Sequence, residues 1–164
     1  MQRIAEDPRL FTYLPQCLER YHVVLGDARL SLARIPPQQY DLMILDAFSS
    51  DAIPVHLLTR EAVRLYFSRL TSHGLLAFDV SNRYLQLELV LGNLVASEGL
   101  VGFARADEDA PYGKTGSHWV VLAREAAALR PLSRDSRWRP LTRGIRPDVW
   151  TDDFSNILGV FRWR

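Results

Sequence analysis

Tyr40-Asp41-Leu42-Met43-Ile44-Leu45-Asp46-Ala47-Phe48-Ser49-Ser50-Asp51-Ala52-Ile53-Pro54 is the stretch whose reading decides the fold. The apolar run between Asp41 and Asp46 fits a strand buried on both faces, and the polar, proline-ended segment behind it fits a loop at that strand's carboxyl end. In open α/β sheets ligands bind at that edge. Asp46, Ser49, Ser50 and Asp51 are therefore the first candidates for chemistry.

Working outward, residues 21–25 predict a short strand, Gly26-Asp27 a turn, and residues 28–35 a short helix closed by Pro36-Pro37. Residues 2–18 carry apolar groups at three- and four-residue spacing, which predicts one or two short helices interrupted at Pro8. Downstream, residues 55–70 present Leu58, Ala62, Leu65, Phe67 and Leu70 as a helical face that Ser72-His73-Gly74 would end, and residues 75–80 form the next strand. After the turn at Ser81-Asn82-Arg83, residues 84–97 predict a helix whose apolar surface is wide enough to be covered on more than one side. Gly99 closes it. Residues 100–106 and 117–123 read as strands around a hairpin-like loop. The alternation predicts an α/β sheet, mostly parallel with one antiparallel strand. Residues 1–129 would be the folded domain, and residues 130–164 an arginine-, proline- and aromatic-rich tail packing on it.

At 164 residues the chain can form one domain burying roughly 70% of its unfolded surface. A formal net charge of +1 gives no argument for nucleic acid or an anionic membrane as partner. Cys17 stands alone, which excludes an intrachain disulfide or a cysteine-built zinc site and suits a reducing compartment. No apolar run is long enough to span a membrane, and the first residues lack a signal-peptide core. The expectation is a soluble, cytoplasmic chain. His22, His56, His73 and His118 have no metal-ligand spacing, and Ser49 and Ser50 lack the context of a hydrolase nucleophile.

Five pieces in order carry a family resemblance: Val23-Val24-Leu25-Gly26-Asp27-Ala28-Arg29, the stretch from Tyr40 to Pro54, Phe78-Asp79-Val80-Ser81-Asn82-Arg83, Ser117-His118-Trp119-Val120-Val121, and Trp150-Thr151-Asp152-Asp153-Phe154-Ser155-Asn156. The chain resembles the later part of a spermidine synthase-like domain, a branch of the Rossmann-like class I methyltransferase fold using S-adenosylmethionine or its decarboxylated form. The resemblance implies that Asp27 reads the adenine amino group with Ala28 packing nearby, that Asp46 faces the reacting centre, and that Asp51 stands in for the family's second acid. The family's aminopropyltransferases space those acids more closely than Asp46 and Asp51. Two carboxylates on one loop suit a cationic amine, which must lose a proton before its nitrogen can attack carbon beside a sulfonium.

One departure matters. Such domains open with a strand, a glycine-rich turn against a helix and a second strand ending in a ribose-binding acid, whereas no glycine precedes Gly26. The family sheet order is 3-2-1-4-5-7-6, so two strands would be missing between residues 21–25 and 42–45. The expected consequence is either a rearranged edge or a gap filled by another chain, in a homo-oligomer or a larger protein, with weak cofactor binding.

Other readings stay open at each position. Asp46, Asp51 and Asp27 could be turn or helix-cap acids, Asp41 a strand-start turn residue, and Asp79 a partner of Arg83 or a substrate contact. Asp107, Glu108, Asp109, Tyr112 and Lys114 read as a solvated loop ahead of a lid. The functional reading is an aminopropyl or methyl transferase domain acting on a small amine, and the alternative is a non-catalytic remnant serving as a binding or oligomerisation module.

Overall fold

The computed structural model describes residues 4, 6–10, 12, 21–48, 54–107, 116–144 and 146–163. Of the helices expected over residues 2–18 only residues 4, 6–10 and 12 are described, and the loop residues Ser49, Ser50 and Asp51 lie outside the set. Gly26 takes φ +134°, a conformation that favours glycine, and turns the chain into α1 (Ala28–Ala33). Pro36 and Pro37 follow, and the chain then enters β1 (Tyr40–Leu45).

Residues 55–70 do not form one continuous helix. A single 3-10 turn, Val55–Leu57, precedes α2 (Arg60–Arg69). Thr59 interrupts the two because its hydroxyl accepts from Ala62 N at 3.2 Å, the N-cap arrangement that satisfies an otherwise orphaned donor. Ala62, Val63, Tyr66 and Phe67 are the buried stripe of α2. The helix runs straight into β2 (Leu70–Asp79), so Ser72-His73-Gly74 belongs to a strand and not to a helix stop. The extra residues are absorbed by an irregularity, since Tyr40 pairs with Leu70 but Leu42 already pairs with Leu75.

Helix α3 (Leu87–Glu98) is buried along Leu87, Glu88, Val90, Leu91, Gly92, Asn93 and Leu94, consistent with covering on two sides. Gly99 at φ 66° ends it. Strands β3 (Val101–Asp107) and β4 (Ser117–Ala123) form an antiparallel pair bracketing residues 108–115. A 3-10 turn (Ala126–Leu129), a short helix α4 (Arg130–Ser133), a two-residue strand β5 (Arg139–Pro140) and a last 3-10 turn (Leu158–Val160) follow among the described residues.

The sheet order is β1-β2-β4-β3-β5. Only β1 and β2 are parallel, and the other three ladders are antiparallel. The expectation of a mostly parallel sheet is thus corrected to a mixed, mostly antiparallel one within an α/β fold. The cause is twofold: β4 folds back between β2 and β3, and residues 21–25 are extended but join no ladder among the described residues. Strand β1 is consequently an edge. Its two faces differ: Met43 and Leu45 pack on the main core, while Leu42 and Ile44 are 52% and 56% exposed. It is not buried on both faces.

The main core lies on the face of the sheet carrying Leu76 and Phe78, against α2, α3 and Trp150. A smaller cluster of Ala77, Val121, Ala123 and Leu129 occupies the opposite face, with Trp138 packed against it. In the last part of the chain Trp150 is fully buried and Phe161 forms a bridge with Leu85. Phe154 and Trp163 remain exposed.

Candidate active site

Parallel strands end on the same side, and the register Leu45 opposite Phe78 brings Asp46 level with Asp79. Asp46, Ala47, Phe48, Asp79 and Ser81 line a cavity of about 200 Å³. Phe48 fixes the near wall: it is 2% exposed, and its ring centroid lies 6.2 Å from that of Phe78. The loop therefore leaves β1 anchored to the core while Asp46 stays solvent-exposed.

Asp79 is held by the residue that follows its strand. Its Oδ1 accepts from the backbone N–H of Ser81 at 2.9 Å and from the Ser81 hydroxyl. That hydroxyl in turn accepts from His118 N at 2.9 Å, so β4 orients the serine and the serine orients the acid. Arg83 is not the partner of Asp79, which settles one of the two sequence alternatives. Asn82 accepts from Tyr84 N and Leu85 N and shapes the following turn.

Behind this wall lies an ionic cluster that the sequence spacing does not reveal. Glu88, in the first turn of α3, receives both guanidinium nitrogens of Arg139 at 2.5 and 2.6 Å, and His118 Nε2 lies 2.9 Å from its other side. Burial pushes the Glu88 carboxyl up, but His118 and Arg139 outweigh it and hold the group down at about 2. His118 thus joins the candidate site through its backbone and the ion cluster through its side chain.

Asp27 and Ala28 occupy a different place. Asp27 is the N-cap of α1, its Oδ1 accepting from Leu30 N at 2.9 Å, and its Oδ2 lies 3.7 Å from His56 Nε2. Ala28 is exposed, and neither residue borders the Asp46 cavity. Beside them Arg29 makes a bidentate bridge to Asp152 at 2.7 and 2.6 Å, which holds the Asp152 carboxyl below its usual range. Thr59 donates to the same carboxylate at 2.7 Å. These bonds tie α1, the start of α2 and the tail together, so the Asp27 region is built first as a structural joint. Asp51 lies outside the described residues. Among those residues no group of three or more His, Cys, Asp or Glu could hold a metal ion, and no helix is long and apolar enough to cross a membrane.

Comparison with known proteins adds an independent line. No protein-family model matches the chain. A polyamine aminopropyltransferase of Vibrio vulnificus (strain CMCP6) is 38% identical over 89 residues, 51% of this chain. The chain spans only 28% of that relative's length. Over about half its length, then, the chain is similar to part of a polyamine aminopropyltransferase.

Proposed function

We propose that this chain is the acceptor-side part of a spermidine synthase-like transferase, with Asp46 and Asp79 holding a small amine and Asp51 assisting from the same loop. The observation that carries the reading is the shared cavity of Asp46 and Asp79 at the carboxyl ends of the parallel strand pair. The sheet supports the same ancestry: β1-β2-β4-β3 with one parallel and two antiparallel ladders has the order and directions of the 4-5-7-6 section of the class I methyltransferase sheet. The aminopropyltransferase relative supports an amine as the substrate class.

The chemistry assigned to these residues is binding and proton handling. An ammonium group between two carboxylates is held by charge-assisted hydrogen bonds. One carboxylate then accepts the proton that must leave before nitrogen becomes a nucleophile. Asp79 is the better candidate for fixed orientation, because Ser81 occupies one of its oxygens; Asp46, more exposed, is the candidate for proton exchange with solvent. The donor expected by resemblance is decarboxylated S-adenosylmethionine, and since Asp27 and Ala28 form no pocket with the amine cavity, donor binding by this chain alone is expected to be weak. The setting proposed is the cytoplasm, as part of an oligomer or of a larger protein.

Calorimetric titration with 1,4-diaminobutane tests the reading. Binding by the native chain that weakens about fivefold in Asp46→Asn, the loss of roughly 1 kcal/mol expected of one exposed ionic contact, supports it. Equal binding by native and variant chains overturns it. The non-catalytic alternative draws on the uncovered edge of β1, and it gains if neither the diamine nor the sulfonium donor binds a well-folded chain.

A further inference from the structure

A second cavity, of about 490 Å³, lies between α3 and the tail, within the size range of small-molecule sites. Its construction is unusually deliberate. Asn93, on α3, donates to the carbonyls of Arg146 and Asp148 at 2.8 and 3.0 Å and accepts from Gly144 N at 3.1 Å. All its amide capacity but one acceptor site is used to hold the backbone of Gly144, Arg146 and Asp148 against the helix. The turn Leu158–Val160 closes the far side, held by Gln86 N donating to Val160 O at 2.8 Å.

The lining is mixed: buried Val90 and Trp150 supply apolar wall, Gln86, Asn93 and Asn156 supply neutral polar groups, and Leu158 and Trp163, 69% and 76% exposed, also line it. An acidic group is set into this wall. The half-buried carboxylate of Asp148 accepts a single hydrogen bond, from Asn156 Nδ2 at 3.1 Å, and Asn156 is itself fixed by Gly159 N at 2.9 Å. Among the described residues Asp148 makes no ion pair. Arg146 also borders the cavity but is exposed, so solvent screens its charge more fully than that of Asp148. A partly desolvated carboxylate with only a neutral partner favours a cation, and an exposed indole face beside it favours the same ligand.

We propose that this cavity binds a small organic cation with an aromatic or branched apolar body, its ammonium on Asp148 and its body against Val90, Trp150 and Trp163. The site is separate from the Asp46 cavity and shares no residue with it. The matched probes are 2-phenylethylammonium and 3-phenylpropionate, titrated into the full chain with indole fluorescence and calorimetry as readouts. The cation should bind at least tenfold more tightly than the anion, Asp148→Asn should abolish that preference, and Asp46→Asn should leave it unchanged. Trp163→Ala, a truncation at an exposed position, should weaken the cation several-fold in a chain with native unfolding behaviour. No cation binding at millimolar concentration, equal binding of the two probes, or a preference that survives in Asp148→Asn or moves with Asp46→Asn would each overturn the proposal.

Discussion

Glu88 is a buried carboxylate held by two basic side chains at once. Its side chain is 8% exposed, between Arg139 and His118, and removing one member of such a cluster leaves charges buried without compensation. Glu88→Gln should cost about 3–5 kcal/mol in urea unfolding. The pH dependence follows from its depressed titration. A carboxyl whose ordinary value of 4.5 falls to about 2 in the folded chain contributes stability that is complete above about pH 4.5 and is lost as pH falls toward 2, about 3 kcal/mol for this shift. Native unfolding curves between pH 5 and 2 should carry that loss and Glu88→Gln curves should lack it. An identical acid limb in both would contradict the assignment. At this scale the sequence revealed part of the site. Asp46 was legible because a strand-ending acid before a polar loop has a standard position, and Asp79 was visible as an acid in a strand. Its bond to Ser81, and the link from Ser81 to His118, depend on which strand lies beside β2. Local spacing does not contain that information.

Elements show where local pattern and tertiary context part. Gly92 lies inside α3, where alanine would raise helix propensity by about 1 kcal/mol. A Cβ there would nevertheless meet Thr142 O at 2.1 Å and Thr142 C at 2.9 Å, backbone atoms that cannot rotate away. Gly92→Ala should therefore lower the melting temperature and loosen the tail toward proteolysis, whereas a rise in melting temperature would show that the tail does not run over this turn. Strand β1 makes the opposite point. Its sequence reads as fully buried, yet Leu42 and Ile44 are exposed, and residues 21–25, with Leu25 77% exposed, join no ladder among the described residues. An apolar edge of this kind promotes association. The chain should self-associate in sedimentation velocity, and Ile44→Lys should shift it toward monomer; a monomeric native chain at high concentration would remove the argument. The misread beginning of β2 has a simple cause. Ser72-His73-Gly74 is turn-like in composition, but pairing with β1 across an irregular register keeps it in the strand.

For the molecule as a whole, the order of elements from Gly26 to Ala123 was largely legible, because caps, prolines and apolar periodicity all punctuate the same boundaries. The direction of the sheet was not. Strand direction depends on where β4 inserts and on residues 21–25 not pairing, both of which are long-range outcomes. The aromatic residues of the last segment look alike in the sequence but take different places: Trp150 is in the core while Trp163 is exposed and lines a cavity. The central claim is that the carboxyl ends of β1 and β2 form one amine site. Chemical-shift mapping of the 15N-labelled chain titrated with 1,4-diaminobutane tests it most directly. The amides of residues 46–48 and 79–81 should move together along one saturating curve in the native chain, and along a curve displaced about fivefold to higher diamine concentration in Asp46→Asn. Shifts confined to other surfaces, or the same curve in both chains, would contradict it.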